Sequence, residues 1–232
     1  MASGGRAEPF VIYYGWLTDD AGGEPNEDAR RIAAVRPPLL IAHLRTAPPA
    51  GHLNLSPPVL DLLRSIGTQV LGYVATDFGR AELGLARRAV TENLDAGLDG
   101  IFFDEADSLA GPAKFGYYAM LAQPVRQRGR KTVLNAGVSK CGERMMQVAD
   151  LVMVEHEWRT LRRDSPWAGR YDPARFMGVS SNEGNAMGYH VDAQHAIEDS
   201  REAHSAGIGW HAATDRYIEL PPWFETYFAS DR

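Results

Sequence analysis

The stretch Leu98-Asp99-Gly100-Ile101-Phe102-Phe103-Asp104-Glu105 sets three large hydrophobic residues directly before two acids. So short and so apolar a run, bounded by glycine on one side and charge on the other, reads as a strand buried on both faces. Upstream, Arg80–Ala96 has helical spacing and stops at Gly97; downstream, Pro112–Arg128 opens on proline and stops at Gly129. Glycine just past a helix end is the C-terminal cap expected there, so the strand stands between two helices, as in a parallel βαβ unit.

The same rhythm runs outward in both directions. Strands are expected at Phe10–Trp16, Pro38–Leu44, Gln69–Thr76, Gly100–Glu105, Thr132–Ala136, Asp150–Glu155, Phe176–Ser180 and Ile208–Ala213. Helices are expected at Asn26–Val35, Pro57–Ile66, Lys140–Ala149, weakly after Trp158, at Val191–Ala206 and at Pro222–Ala229, besides the two above. Eight strands each followed by a helix within 232 residues give an α/β chain folded as a single (β/α)8 TIM barrel, a little leaner than the roughly 250 residues typical of that fold. A doubly wound open sheet is the structural alternative. The first strand, however, runs into Gly15-Trp16-Leu17-Thr18-Asp19-Asp20 and not into a G-x-G-x-x-G turn, and there is no Walker loop. Residues 1–9 are expected to be a disordered or tag-like lead, and 10–232 the barrel domain.

Composition bounds the partners. Hydrophobic residues at 44% and charged residues at 23% suffice for a proper core. Twenty-four basic against thirty acidic residues leave a net charge of −6, with no Lys/Arg cluster to attract a phosphate backbone, so no nucleic-acid partner is expected. Phe10 to Leu17, the longest apolar stretch, is less than half of the roughly 20 residues that span a bilayer, so no membrane partner is expected either. Met1-Ala-Ser-Gly-Gly-Arg6 holds no signal-peptide core, so no export address is expected. The lone Cys141 rules out an internal disulfide and a multi-cysteine zinc site.

In such a barrel the functional groups lie at the C-terminal ends of the strands. Strand one ends in Tyr13, Tyr14 and Trp16, strand two in His43 and Arg45, strand three in Tyr73, Thr76 and Asp77, and strand four in Asp104, Glu105 and Asp107. Asn135 ends strand five; Glu155, His156, Glu157 and Trp158 end strand six. Ser181, Asn182 and Glu183 end strand seven; Trp210, His211, Thr214 and Asp215 end strand eight. Side chains alternate along a strand, so Asp104 and Glu105 both face the axis only if the chain bends there; one is expected to be catalytic and the other supporting. Two-carboxylate sugar chemistry needs a second acid across the mouth. Glu155 is the natural candidate, with Glu157 sharing its parity.

Tyr13, Tyr14, Trp16, Tyr73, Trp158 and Trp210 are aromatics that can stack on the apolar face of a sugar. His43, His156 and His211 form the alternative, a metal site. Strand one carries Tyr13-Tyr14 where hydrolases of that kind have H-x-H, so neither metal nor other cofactor is expected. His190, His195 and His204 read as a solvated helix face. A serine nucleophile lacks its G-x-S-x-G, and Cys141 lies in an expected helix.

Val70-Leu-Gly-Tyr73-Val-Ala-Thr76-Asp-Phe-Gly79, the Leu98–Glu105 stretch, Val133-Leu-Asn135-Ala-Gly137, Ala213-Thr214-Asp215 and Leu220-Pro-Pro-Trp223 together resemble the spherulation-specific family 4, or spherulin-4-like, proteins. The resemblance implies a barrel related to glycoside hydrolases that cut galactosamine- and N-acetylgalactosamine-containing polymers. It implies that Asp104, Glu105 and Glu155 line the cleft; localisation stays open between secretion, which the resemblance implies, and the cytoplasm, which the chain as read implies. One departure stands out: where the family has an Asn-Pro-rich segment after strand two, this chain reads His43-Leu-Arg-Thr-Ala-Pro-Pro-Ala-Gly-His52.

The expectation is therefore a metal-independent glycoside hydrolase acting on a carbohydrate polymer or oligosaccharide. Asp104 and Glu155 are its principal carboxylates and Glu105 the partner or alternate acid. Tyr73 and Asn135 position a hydroxyl or acetamido group, and Tyr13, Tyr14, Trp16, His43, Trp158, Trp210, Thr214 and Asp215 line the cleft. A non-catalytic carbohydrate-binding barrel and a metal-dependent barrel hydrolase are the alternatives.

Overall fold

The computed structural model describes residues 5–19, 23–47, 52–155, 157–182 and 191–230. Eight barrel strands follow one another in chain order: β1 (Val11–Tyr13), β2 (Leu39–Ala42), β3 (Gln69–Ala75), β4 (Gly100–Asp104), β5 (Lys131–Asn135), β6 (Leu151–Val154), β7 (Phe176–Ser181) and β8 (Trp210–Thr214). Each pairs in parallel with the next. Ahead of β1 the two-residue segment Glu8–Pro9 pairs in parallel with β8, Glu8 opposite Trp210 and Pro9 opposite His211. The run from Glu8 to Tyr13 thus bonds to β8 with its first half and to β2 with its second, and the ring closes through it. The barrel therefore starts earlier than residue 10, and the last part of the expected lead is one of its staves. This is the (β/α)8 barrel that the alternation of strands and helices called for.

Between the strands lie α1 (Glu27–Val35), α2 (Pro57–Ser65), α3 (Leu83–Asp95), α4 (Pro112–Gln127), α5 (Leu161–Asp164), α6 (Ala193–Ala206) and α7 (Phe224–Ala229). Their ends follow local chemistry. The side chains of Asn26 and Asp192 each accept from a backbone N–H in the first turn of α1 and α6, both at 2.9 Å, and Pro57 opens α2 behind Ser56. Gly207 closes α6 at φ 85°, a left-handed conformation that costs glycine nothing.

One expected helix is absent. In place of Lys140–Ala149 there is a single 3-10 turn, Glu143–Gln147. Gly142 before it is extended, and the backbone of Cys141 is spoken for elsewhere, its N–H donating to Ser165 Oγ at 2.9 Å and its carbonyl accepting from Trp167 Nε1 at 2.8 Å. No described helix is long and apolar enough to cross a membrane.

The barrel interior is packed with Phe10, Ile12, Leu39, Ile41, Leu71, Phe102, Val133, Leu151, Met153, Met177, Val179 and Ala212. Residues of opposite parity, such as Val11, Tyr13, Leu40, Val70, Ile101, Phe103, Leu134 and Val152, pack outward against the helices. Strands buried on both faces show no polar alternation, and each large side chain buried this way stabilises the fold by about 1.5–3 kcal/mol.

Candidate active site

Following the interior parity two residues further along every strand gives the ring of side chains at the C-terminal mouth. Ile12, Ile41, Leu71 and Phe102 lead to Tyr14, His43, Tyr73 and Asp104; Val133, Met153, Val179 and Ala212 lead to Asn135, Glu155, Ser181 and Thr214. Parity therefore selects Asp104 over its neighbour and Tyr14 over Tyr13.

Six of these positions are tied together by contacts. Asp104 accepts at both oxygens, from the Tyr73 hydroxyl at 2.8 Å and from Asn135 Nδ2 at 2.7 Å. The same Asn135 nitrogen donates to Glu155 Oε1 at 2.7 Å. Asn135 is buried, and its side-chain oxygen accepts from Gly137 N–H at 2.9 Å, which fixes the amide with its NH2 toward the acids. Asp104 and Glu155, two strands apart, thus converge on one nitrogen. Tyr14 stands edge-on to Tyr73 at 5.1 Å, and the His43 ring lies 5.0 Å from Tyr73.

The electrostatics follow from burial beside acids. Burial pushes the Tyr14 phenol well above its usual range, and the charge of Asp104 adds to this. Tyr73 is raised likewise, by burial first and then by Asp104. Both phenols therefore keep their protons as donors. His43 is lowered by burial and by Arg45, whose Nε donates to His43 Nδ1 at 2.8 Å; the neutral ring then carries its proton on Nε2.

Glu105 is exposed and sits at φ 52°. The bend anticipated between the two acids is thus real, a left-handed residue that turns the chain out of the strand. Buried Thr76, at the end of β3, holds that bend. Its Oγ1 lies 2.8 Å from the Asp104 carbonyl and 2.9 Å from the Glu105 carbonyl, and its N–H donates to the former at 3.0 Å. Asp77 (φ 45°) and Phe78 (φ 53°) face it in the adjacent loop, with Phe78 N–H donating to the Glu105 carbonyl at 2.7 Å. Left-handed conformations cost such residues about 1–3 kcal/mol each. Of four non-glycine residues at positive φ among the described residues, three lie here; the fourth, Arg36, ends α1.

Other candidates fall elsewhere. Tyr13 is buried in the outer layer, where its hydroxyl donates to Asp28 of α1. Trp158 is fully buried under the Arg159 guanidinium, 4.1 Å from its centroid, and is core rather than platform. Trp210 begins β8, so it lies at the opposite end of the barrel, its Nε1 donating to the Ala174 carbonyl at 3.0 Å. Trp16 is exposed in the loop after β1. Thr214 donates to the Arg216 carbonyl at 2.7 Å, and Asp215 accepts from Asn182.

Glu157 accepts from the backbone and hydroxyl of Ser139 at 3.1 and 3.0 Å, a loop clasp, and Asp107 pairs with Lys114 at 2.6 Å. His211 has outward parity and is fully buried between Ser180 and the Tyr227 hydroxyl, a core histidine rather than a ligand at the mouth. Among the described residues no three His, Cys, Asp or Glu side chains gather as metal ligands do. His156, Glu183 and His190 lie outside the described residues. Tyr217, from the loop after β8, completes the aromatic wall 5.6 Å from Tyr14, and no sequence signal marked it.

The chain superposes on solved barrels along nearly its whole length. Aspergillus clavatus Sph3, solved in complex with GalNAc, matches with a TM-score of 0.66 at 16% identity over 97% of both chains. The Bacillus cereus spore cortex-lytic enzyme SleL matches at 0.62 and 12% identity, over 98% of this chain and 75% of that one. A fungal endo-beta-N-acetylglucosaminidase of glycosyl hydrolase family 18 matches at 0.60 and 13% identity, over 95% and 96%. At these identities the likeness is one of fold. No protein of curated function matches the sequence. The model of spherulation-specific family 4 matches residues 58–229, from α2 through α7 and so across β3 to β8 with both candidate acids, and the chain belongs to that family.

Proposed function

We propose that the protein is a glycoside hydrolase acting on a polysaccharide that contains galactosamine or N-acetylgalactosamine, with Asp104 and Glu155 as its principal carboxylates. The observation that carries this reading is the convergence of those two acids on Asn135 Nδ2 at the open end of a packed barrel. Two oxygens each 2.7 Å from one nitrogen are separated by no more than twice that distance. This is short of the roughly 6.5–9.5 Å that leaves room for the water of an inverting reaction, and it supports a retaining course.

In that course Asp104, held by the Tyr73 hydroxyl and the Asn135 amide, is the fixed partner. It acts as nucleophile or, when the sugar carries an acetamido group, orients that group so that its carbonyl attacks instead. Glu155 delivers the proton to the leaving oxygen and Glu105, exposed at the rim, is the alternate acid. Tyr73 and Asn135 hold Asp104 in place, and Tyr14, Tyr217 and His43 give the first sugar an aromatic wall. Membership of the family and a fold shared with a GalNAc-bound barrel support the choice of substrate class.

The test is digestion of a glycan panel that includes α-linked galactosamine and N-acetylgalactosamine polymers by the wild type, Asp104→Asn and Glu155→Gln. The wild type is expected to release oligosaccharides, and each variant to lose at least about a hundredfold in rate. Tight binding of one glycan without any cleavage would replace hydrolysis by carbohydrate binding.

A further inference from the structure

Of the eight large hydrophobic side chains exposed among the described residues, six lie in the segments that follow barrel strands at the C-terminal mouth, and Leu85 and Met120 lie on α3 and α4. Scattered exposed apolar residues need no explanation, but a set gathered around one opening does. Phe78 stands out among them. It is 47% exposed, it occupies a left-handed backbone position that a bulky residue avoids, and its N–H is bonded to the carbonyl of Glu105 beside the acids. The Arg80 guanidinium lies over its ring at 5.6 Å and is itself held by Asp77 at 2.6 Å. The turn thus places an exposed aromatic ring beside an arginine, on a residue whose backbone is bonded to that of Glu105. Nothing in the core requires this arrangement, since neither residue of the Asp77–Phe78 pair is buried.

We propose that Phe78 is the stacking platform of a second sugar-binding subsite, so that the mouth takes a glycan of at least two residues running from Asp104 and Glu155 out over the loop after β3. The inference rests on the glycan reading given above. A pyranose has an apolar C–H face, which the Phe78 ring meets, and a polar edge. Glu105 and Asp77 offer acceptors for its hydroxyl or amino protons. Trp16 and Ile218, on the loops after β1 and β8, mark the other side of the opening, so the chain of sugars crosses the acids with apolar surface at both edges.

The experiment compares the full-length wild type with Phe78→Asn, Phe78→Trp and Leu85→Ala on α-linked N-acetylgalactosamine oligosaccharides of two to six residues. Asparagine accepts the left-handed backbone while removing the ring; tryptophan keeps a ring; Leu85, an exposed apolar residue in the first turn of α3 and outside the Asp77–Phe78 turn, serves as control. Phe78→Asn is expected to lower kcat/KM on the hexasaccharide about five- to tenfold more than on the disaccharide, mainly through KM. Phe78→Trp is expected to recover most of the loss, and Leu85→Ala to match the wild type.

An equal loss at all lengths, or none on the hexasaccharide, overturns the platform and leaves Phe78 as a brace for Glu105. Calorimetric titration of the hexasaccharide separates this inference from the reading beneath it. If the wild type binds without cutting, hydrolysis fails and the affinities of the two Phe78 variants decide the platform. If it neither binds nor cuts, both fail.

Discussion

Asp104 and Glu155 come from strands that do not touch, yet they accept hydrogen bonds from the same nitrogen, Asn135 Nδ2, each at 2.7 Å. The strand between them, β5, supplies a donor that both carboxylates share. Asn135→Ala removes the bond that each acid makes to that nitrogen. The expected outcome is a kcat down about a hundredfold with KM little changed, measured as initial rates on a cleaved glycan, because the carboxylates lose the shared donor that sets their spacing. An unchanged kcat would show that the amide does not hold the acids in place.

The two tyrosines whose parity separates them should behave oppositely. Tyr13→Phe removes a donor to Asp28 in the outer layer and is expected to cost about 1.5–3 kcal/mol of stability with activity retained. Tyr73→Phe removes a donor to Asp104 at the mouth and is expected to cut kcat/KM about tenfold with little change in melting temperature. Thermal melts and initial rates on the same two preparations decide it.

His211 supplies a pH dependence of stability. Burial lowers its pKa from 6.5 to about 3, so it stays neutral in the folded protein where the unfolded chain would protonate it. Between those values the unfolded state binds the extra proton. The contribution is therefore complete above about pH 6.5 and is lost as the pH falls toward 3, with a slope of up to about 1.4 kcal/mol per pH unit. In denaturant titrations between pH 4 and 7, His211→Gln should be less stable at neutral pH but show a shallower fall, by about one proton's worth.

Gly178 tests the placement of Trp158. A Cβ added there would lie 2.9 Å from Trp158 Cγ and 3.1 Å from Cδ1, against a ring that has no room to retreat. Gly178→Ala is expected to cost about 1–3 kcal/mol, seen as a lower denaturation midpoint. Were Trp158 a mobile platform at the surface, the substitution would be nearly silent.

The barrel was legible in the sequence because each of its staves is a short apolar run closed by turn residues, and because glycine marks four helix ends. The acids were legible for the same reason, since Phe102-Phe103-Asp104-Glu105 breaks from buried to charged within one step. Facing was not legible. Val11 and Tyr13 are as apolar as Phe10 and Ile12, and strands buried on both sides give no alternation to show which set looks inward. The pattern alone therefore groups Tyr13 with Tyr14, and Trp158 and Trp210 with the mouth. Trp210 opens its strand, and the parity of β8 carries the inward series on to Ala212 and Thr214. The helix expected over Lys140–Ala149 failed because its backbone partners, Ser165 and Trp167, lie some 25 residues away in sequence. Tyr217 and the left-handed turn at Asp77 and Phe78 are likewise products of tertiary contact.

The stave that closes the ring is made before the other strands of the barrel, and its partner β8 after them: Glu8 must wait for Trp210. Every other strand can find a neighbour as soon as the next one leaves the ribosome, but the seam joins the first and last strands and carries the greatest entropic penalty. Until it forms, the nascent barrel is an open sheet with two unsatisfied edges, and the mouth lacks the juncture where Tyr14 meets Tyr217. Competence at the mouth therefore arrives only once β8 has been made, and a barrel stalled short of it has its acids in order but no enclosure around them.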